Sequence, residues 1–442
     1  MTYKSGSLFD GSGGFPLAGA LCGIEPVWAA EVEPYPIAVT RSRFPTMRHL
    51  GDISKVKGSE IELVDIVTFG SPCQDLSVAG KRAGLKHEAN GDEETTRSGL
   101  FMEAVRIIKE MRDATYGLYP RFALWENVPG AFSSNSGEDF RTVLEELIKI
   151  VEPRAVMPEV PKAGWAYADS YSGDGWSLAY RVFDAQYWGV PQRRRRIHLV
   201  LDLRGERARE VLFEREGVRG CFTQGPTTRQ GIAADAEGST GAEGRSCFGG
   251  RLDAVTDANI LDDQGMSVIN TRTDGKSPTL RAQIGGHPPV VLQAVQNTGQ
   301  GWWNESPVAQ TLRTPCGGDS TKANLIIMQN QEAPLFTIRR LTPTECARLQ
   351  GFADRWGNID QKDSFTAEEL QFWMAVRNTH ASINGKDPKE YTEAQMLTWY
   401  SRLHTDSSEY KMWGNGIALP PALYCMQGMT DVLTTEEEMA HG

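Results

Sequence analysis

The chain of 442 residues has no run of about 18 consecutive apolar residues, so it predicts no membrane-spanning helix. Its first residues, Met1–Gly6, lack the long apolar core of a secretory signal peptide. Its seven cysteines are an odd number, and no two have the Cys-x-x-Cys spacing typical of metal sites. These absences argue against a disulfide scaffold and a zinc module. We therefore expect a cytoplasmic protein with reduced thiols and no metal.

The chain also has fewer basic than acidic residues. Lys and Arg number 46 against 57 Asp and Glu, which gives a net charge of -11. That balance argues against a protein that coats nucleic acid nonspecifically. It does not exclude an enzyme acting on DNA, because binding depends on where the charges lie. The densest basic cluster is Arg193–Arg196.

Apolar, β-branched stretches alternate along the chain with segments of helical length. The predicted strands are Ser7–Phe9, Val27–Ala30, Ile61–Phe69, Arg121–Trp125 and Arg196–Leu201. The predicted helices include Phe101–Met111 and Phe140–Val151. This alternation predicts an α/β fold with a mainly parallel sheet.

A glycine turn, containing Gly11, Gly13 and Gly14, follows the first predicted strand. Glycines let the main chain approach a ligand, and the next helix offers free N–H groups. Pro16 occupies the place of the third glycine in a dinucleotide fingerprint, which favours a nucleoside cofactor without phosphates. A plain glycine turn is the alternative. Glu31 ends the second predicted strand, where a carboxylate suits ribose hydroxyls.

A cysteine, Cys73, lies just beyond the predicted strand Ile61–Phe69, in a Ser-Pro turn. Ligands of open α/β sheets gather outside the carboxyl ends of the strands. A thiol at that place is positioned to act as a nucleophile. The alternative for a lone cysteine is a small buried hydrophobe.

The chain changes character beyond residue 204. Of its 45 glycines, 17 lie between Gly217 and Gly318, which predicts a loop-rich segment with little helix. Two Thr-Leu-Arg repeats, ending in Arg281 and Arg313, suggest related β-hairpin units there. Regular helix returns at capping-box signals. These signals begin at Thr342, Thr366 and Thr392.

Six stretches, in this order, resemble the motifs of the DNA cytosine-5 methyltransferases of bacteria and phages. They are Phe9–Gly14, Gly70–Gln74, Glu126–Val128, Gln192–Arg196, Arg340–Phe352 and Gly414–Gly416. The resemblance implies an α/β fold: an S-adenosylmethionine-dependent methyltransferase Rossmann-like domain with a smaller, loop-rich β target-recognition domain. The expected division is 1–204 for the first catalytic part, 205–335 for target recognition and 336–442 for the catalytic completion. A helical insertion is expected at about 357–409.

The resemblance also implies a covalent mechanism. Cys73 would be the thiolate that adds to carbon 6 of cytosine and makes carbon 5 nucleophilic. Glu126 would give a proton or a hydrogen bond to nitrogen 3 of the ring. Arg194 and Arg196 would hold the base carbonyl oxygen and favour the thiolate. The other arginines of the run would point the opposite way on a strand.

The implied cofactor is S-adenosyl-L-methionine, with S-adenosyl-L-homocysteine as its product and no metal. The residues expected at the cofactor are Phe9, Gly11, Gly13, Gly14, Glu31, Asp52, Ile53, Pro72 and Asn415. A large aromatic residue often follows the ribose acid in this family. Val32 stands there in this chain, so adenine stacking is expected to be weaker or to be supplied by Phe9 and Ile53.

The implied substrate is double-stranded DNA with the target cytosine flipped out of the helix. Gln74 and Ser77 are expected at the flipped base, and Asp75–Ser98 suits a lid that closes over it. Arg281 and Arg313 are expected either to read bases or to brace their own loops.

Two rival interpretations remain at this point: a tRNA cytosine-5 methyltransferase and a catalytically inactive DNA-binding regulator. We expect a monomer encoded by a bacterium or a phage. The sequence leaves open the target site, and whether a cognate restriction endonuclease accompanies the protein.

Overall fold

The computed structural model describes residues 2–72, 99–157, 159–213 and 341–441, together with the backbone of four strands between 259 and 340. Cys73, Gln74, Ser77, Arg281 and Arg313, as well as the expected lid, lie outside the described residues.

An eight-stranded sheet forms the centre of the molecule. From one edge to the other its strands are β3 (Arg48–His49), β2 (Glu25–Ala30), β1 (Lys4–Leu8), β4 (Ile66–Phe69), β5 (Phe122–Asn127), β8 (Arg195–Asp202), β7 (Trp176–Asp184) and β6 (Ala168–Gly173). The first five strands are parallel. The last three run antiparallel to their neighbours. This confirms the α/β fold with a mainly parallel sheet, and it adds an antiparallel ribbon at one edge.

Helices cover both faces of the sheet. They are α1 (Gly14–Leu21), α2 (Pro34–Arg43), α3 (Leu100–Ala114), α4 (Glu138–Ile148), α5 (Ala208–Leu212), α6 (Pro343–Leu349), α7 (Ala367–Ile383), α8 (Glu393–Tyr400), α9 (Asp406–Asn415) and α10 (Leu419–His441). No helix in the described ranges is long and apolar enough to cross a membrane.

Two hydrophobic cores lie on opposite faces of the sheet, and the central strands β4 and β5 contribute apolar side chains to both. Within β4, Ile66 belongs to the core that contains α1, α2 and the C-terminal helices, while Val67 belongs to the core that contains α3 and α4. Side chains of a strand alternate between faces. A strand buried on both faces therefore has a continuous apolar sequence, which is why these strands could be predicted.

Several element boundaries differ from the sequence-based expectations. The fourth strand begins at Ile66 rather than Ile61, and β5 continues through Glu126 and Asn127. The last helix, α10, extends far beyond the expected Leu423. The three predicted capping boxes are present at the starts of α6, α7 and α8.

A second sheet contains the strands described between 259 and 340. Its order is β10 (Asn270–Arg272), β9 (Asn259–Asp262), β11 (Val290–Val295) and β12 (Leu335–Arg340), and all its pairs are antiparallel. These strands fall in the segment expected to recognise the target, except that β12 extends past the expected boundary at 335.

A buried ion pair ties the sheet to the C-terminal helix. The Arg121 Nε donates to Asp202 Oδ1 at 2.6 Å, and its Nη1 donates to Glu436 Oε2 at 2.7 Å. The side chains of Arg121 and Asp202 are 5% and 0% exposed, whereas that of Glu436 is 33% exposed. Asp202 is thus the partner on which the buried guanidinium depends.

Asp202→Asn should lower the free energy of unfolding by about 3 kcal/mol, because it leaves the buried Arg121 charge poorly compensated. Denaturant unfolding at neutral pH measures the change. The matched control is Glu436→Gln, which removes the more exposed partner and should cost less than about 1 kcal/mol. Equal losses in the two variants would contradict this account.

Candidate active site at the carboxyl edge of the sheet

The expected cofactor turn follows β1 at the carboxyl edge of the sheet. Phe9 has a left-handed φ of 59° and donates its N–H to the Ala30 carbonyl at 2.9 Å, so the turn is tied to the end of β2. Gly13 has a φ of 76°, and a Cβ there would lie 2.8 Å from the Thr40 methyl carbon. Both the conformation and the close approach of α2 require glycine at this position.

Glu31 fixes the end of β2 to the same turn. Its Oε2 accepts from the Gly11 N–H at 2.8 Å, and its Oε1 accepts from the N–H groups of Val32 and Glu33 at 2.7 and 2.9 Å. Burial raises the pKa of Glu31, and these three backbone hydrogen bonds oppose the rise. The acid expected at the ribose is therefore held in place by three backbone N–H groups.

The C-terminal segment closes over the glycine turn. A Cβ on Gly416 would lie 2.8 Å from Ser12 Oγ, and a Cβ on Gly14 would lie 2.5 Å from Ile417 Cγ1. The Trp356 Nε1 donates to the Ser12 carbonyl at 2.8 Å. The exposed Asn415 ends α9 directly before Gly416, so the structure brings this expected cofactor residue to the turn.

Asn127 holds the main chain that leads to Cys73. Its Nδ2 donates to the Ser71 carbonyl at 2.9 Å, and its Oδ1 accepts from the Val128 N–H at 2.8 Å. The Trp125 Nε1 donates to Ser71 Oγ at 3.1 Å. Ser71 and Pro72 are thereby fixed beside the end of β5, and the next residue is the expected nucleophile.

Glu126 and Arg196 meet across the junction of β5 and β8. Arg196 Nε lies 3.1 Å from Glu126 Oε1, with the two side chains 14% and 10% exposed. Burial raises the pKa of Glu126, while the positive charges of Arg196 and Arg194 act in the opposite direction. A carboxyl held this way keeps its proton to a higher pH than an exposed glutamate does.

The arginine run alternates between the interior and the surface. Arg194 is 2% exposed, and its Nη2 donates to the Gly416 carbonyl. Arg193 and Arg195 are exposed, and the Arg195 guanidinium lies 4.6 Å from the ring centre of Tyr167. Arg194 therefore braces the C-terminal segment, while Arg196 is the arginine that pairs with Glu126.

The two residues expected at the adenine have local structural roles. The Asp52 Oδ1 accepts from the Ser54 N–H at 3.0 Å and from its hydroxyl at 2.8 Å. Ile53 is 4% exposed and packs in the core that contains α3 and α4. Their predicted contact with a cofactor stays a prediction.

Sequence reasoning missed three residues that shape this edge. Ser71 is held by Asn127, Trp356 is bonded to the glycine turn, and the carboxyl of Asp10 is buried within that turn. The motif Phe9–Gly14 contains Asp10, but the sequence pattern assigned no role to this residue. No local pattern marks Ser71 or Trp356 as neighbours of residues so distant in the chain.

Comparison with known proteins gives one family and several relatives. The family model for C-5 cytosine-specific DNA methylase matches residues 3–151 and 167–377. A protein of Escherichia phage P1 named DNA N-6-adenine-methyltransferase is 26% identical over 486 residues, covering 98% of this chain and 62% of its own length. The type II methyltransferase M1.ScrFI of Lactococcus lactis subsp. cremoris is 25% identical, covering 86% of this chain and 76% of its own length.

A third relative is the type II methyltransferase M.BsuFI of Bacillus subtilis, which is 30% identical over 44% of this chain and 37% of its own length. The chain thus spans less than two thirds of the phage P1 and B. subtilis proteins. Among solved structures, the S. pombe Dnmt2 methyltransferase is 14% identical with a TM-score of 0.46, covering 98% of this chain and 99% of that one. The family model matches most of the sequence, and the chain belongs to the C-5 cytosine-specific DNA methylase family.

Proposed function

We propose that this chain transfers a methyl group from S-adenosylmethionine to carbon 5 of a flipped-out cytosine in a specific sequence of double-stranded DNA. The observation that carries the proposal is the buried pair of Glu126 and Arg196 beside Ser71–Pro72, the segment that leads into Cys73. An acid, a cation and a thiol are the groups that activation of a cytosine ring requires, and the described main chain beside the first two leads directly to the third in sequence.

Membership of the family implies use of S-adenosylmethionine. The residues of the turn suit it, because a Cβ on Gly11 would have no packed neighbour closer than the Phe9 carbonyl at 4.0 Å, and Glu31 offers a carboxylate to ribose hydroxyls. Phe9, Asp52, Ile53, Pro72 and Asn415 would complete the site. The bound cofactor supplies an electrophilic methyl group on a sulfonium.

The protein's own part begins with Cys73. Its thiolate forms a bond to carbon 6, and the ring electrons move toward nitrogen 3, where Glu126 gives a proton. Arg196 holds Glu126 and stabilises negative charge on the base, and Arg194 adds to the same field. Once carbon 5 is methylated it loses its proton, and the bond to Cys73 then breaks. Gln74 and Ser77 would contact the flipped base.

Methylation of adenine at N6 is a second candidate, because the phage P1 relative carries that name. An exocyclic amine has a lone pair of its own and needs no thiolate adduct and no proton donor at the ring. The buried Glu126 next to Arg196 therefore favours cytosine. Chromatographic analysis of hydrolysed product DNA separates 5-methylcytosine from N6-methyladenine.

Recognition of the sequence around the target is proposed for residues 205–335, since the catalytic part handles a single flipped base. The size of this segment favours duplex DNA over tRNA. We further propose that the enzyme acts as a monomer in the cytoplasm of a bacterium. A restriction endonuclease of the host would be its cognate partner only if that endonuclease cuts the sequence that this enzyme methylates.

Cys73→Ser should abolish methyl transfer, because a hydroxyl is a far weaker nucleophile than a thiolate at neutral pH. Wild type should form a covalent adduct with duplex DNA that carries 5-fluorocytosine at the target, since the fluorine cannot leave carbon 5 as a proton does. Denaturing gel electrophoresis detects the adduct. Cys22→Ser, at a thiol 3.8 Å from the Leu423 carbonyl, should still form it. Turnover by Cys73→Ser would refute the mechanism.

Glu126→Gln should slow methyl transfer by about 10²–10⁴-fold, the usual contribution of a positioned acid. The raised pKa of Glu126 means that it is protonated at low pH and loses its proton as pH increases. The wild-type rate should therefore fall on the alkaline side, and Glu126→Gln should lack that fall. Glu152→Gln is the control: this carboxylate binds Trp176 Nε1 at 2.9 Å, and its loss should leave the profile unchanged. An alkaline limb retained in Glu126→Gln would assign the limb to another group.

Arg281→Ala and Arg313→Ala test the reading of bases. A base contact by either arginine should relax one position of the target sequence by about 1–3 kcal/mol, whereas a phosphate contact should weaken all sequences alike and make the salt dependence shallower. Methylation assays on a library of randomised sites measure both effects. Unchanged specificity and salt dependence in both variants would leave these arginines as internal braces.

A further inference from the structure

An exposed pair of an arginine and a tyrosine lies at the carboxyl edge of the sheet. Arg195 begins β8, two residues before Ile197, whose partner in the sheet is Asn127 at the end of β5. The Arg195 guanidinium lies 4.6 Å from the ring centre of Tyr167, a residue that is 60% exposed. The pair therefore adjoins the strand ends that carry Glu126 and its cationic partner.

Tyr167 is held in place by the segment that follows β5. Its ring centre lies 6.3 Å from that of Phe132, which packs against the core containing α3 and α4. Two residues before Tyr167, the buried Trp165 donates its Nε1 to the Gly137 carbonyl at 2.9 Å. The Tyr167 carbonyl accepts from the Val182 N–H at 2.8 Å. The ring beside the guanidinium is therefore fixed by side-chain and main-chain contacts.

The charge of Arg195 is not neutralised by the described part of the chain, where no ion pair includes it and no acceptor takes a hydrogen bond from its guanidinium. Asp184 lies opposite Arg195 in the ladder of β7 and β8. Its carboxylate instead accepts from the Gln186 amide groups and the Arg194 N–H. Since the chain has a net charge of -11, its attraction to a polyanion depends on local cations such as this one.

A guanidinium that lies over an aromatic ring suits a phosphate ligand. Its five N–H donors lie in one plane, and two of them match a pair of phosphate oxygens. Contact with the tyrosine ring orients that plane and reduces the side-chain freedom that binding would otherwise remove. Arg195 is therefore prepared for a phosphodiester before the ligand arrives.

A polar loop continues the same edge. Asn135 and Ser136 are exposed and have left-handed φ values of 48° and 59°, a conformation that costs about 1–2 kcal/mol per non-glycine residue. They lie between Phe132 and Gly137, the two residues that contact the segment of Tyr167. Their amide and hydroxyl groups are donors of the kind that bind DNA phosphates. The loop thus presents polar donors on the side where Arg195 presents its charge.

We propose that Arg195, oriented by Tyr167, binds a backbone phosphate of the DNA duplex beside the flipped cytosine. This inference rests on the function proposed above. Side chains alternate along a strand, so β8 directs Arg196 to Glu126 and Arg195 to the opposite face. A phosphate contact carries no sequence information, so this one serves every DNA sequence alike.

Fluorescence anisotropy of the full chain with a labelled duplex, cut from DNA that wild type methylates, tests the proposal over a series of salt concentrations. Arg195→Ala should bind about 10-fold more weakly, and the slope of log affinity against log salt should become shallower by about 0.9, the value for one phosphate contact. The matched control is Arg209→Ala. This exposed arginine lies 5.8 Å from the ring centre of Phe213, beyond the other end of β8. Its slope should equal that of wild type, and equal changes in the two variants would overturn the inference.

A double-mutant cycle tests the role of the ring. Tyr167→Ala should weaken binding about 3-fold with an unchanged salt slope, because the charge of Arg195 remains, and it should have no further effect in the Arg195→Ala protein. Additive losses would contradict the orienting role. If Tyr167→Ala does not fold, Arg195→Lys replaces it: the slope should be kept while the affinity falls, since lysine has the charge without the planar fork. Wild-type affinity in Arg195→Lys would overturn that role.

Kinetics separate this inference from the proposed function. Arg195→Ala should raise KM for DNA about 10-fold and leave kcat at saturating DNA and the calorimetric affinity for S-adenosylmethionine as in wild type. A lower kcat with unchanged DNA affinity would place Arg195 in the chemistry and overturn the inference. Absence of DNA binding and methyl transfer in wild type would contradict the proposed function itself. Methyl transfer by wild type, with Arg195→Ala and Arg209→Ala alike in every measurement, would contradict only the present inference.

Discussion

Gly416 makes the contact on which both halves of the candidate active site depend. On one side it lies against Ser12, so close that no side chain fits, and thereby covers the glycine turn. On the other side its carbonyl accepts from Arg194, which fixes the chain entering β8. Two residues later that strand carries Arg196 to Glu126. A displacement of the C-terminal segment would therefore disturb the glycine turn and the pair of Glu126 and Arg196 together, although the two lie on different strands.

Much of this arrangement is local enough to be predicted from sequence. Strands buried on both faces are continuous apolar runs, and three helix starts carry a threonine followed three residues later by Glu or Gln. This pattern did not predict the start of α9, because the capping box of that helix has Ser408 where the other three have Glu or Gln. The antiparallel ribbon could not be predicted, since apolar strands look alike whichever way they run. Asn127 contacts Ser71, 56 positions away, and Arg194 contacts Gly416, 222 positions away. No local sequence pattern predicts contacts over such separations.

The charge and packing of the helical insertion at 357–409 favour support of the fold over contact with DNA. It contains nine acidic and five basic residues, a surplus unsuited to a phosphate backbone. The Tyr35 hydroxyl donates to the Gly357 carbonyl at 2.7 Å, and the Arg41 guanidinium lies 4.2 Å from the ring centre of Phe372. Both contacts hold α2, the helix that follows Glu31. The insertion thus supports, from outside, the part of the sheet that carries Glu31 and the glycine turn.

The closure of the C-terminal segment on the glycine turn has a consequence for biosynthesis. A ribosome that adds about 5–20 residues per second reaches Gly416 roughly 20–80 s after Ser12. Throughout that interval the nascent chain has its glycine turn but not the residues that cover it, so the site stays incomplete. Activity should begin only when nearly the whole chain has emerged. A gene split between the glycine turn and the C-terminal segment would yield fragments that are inactive until they assemble.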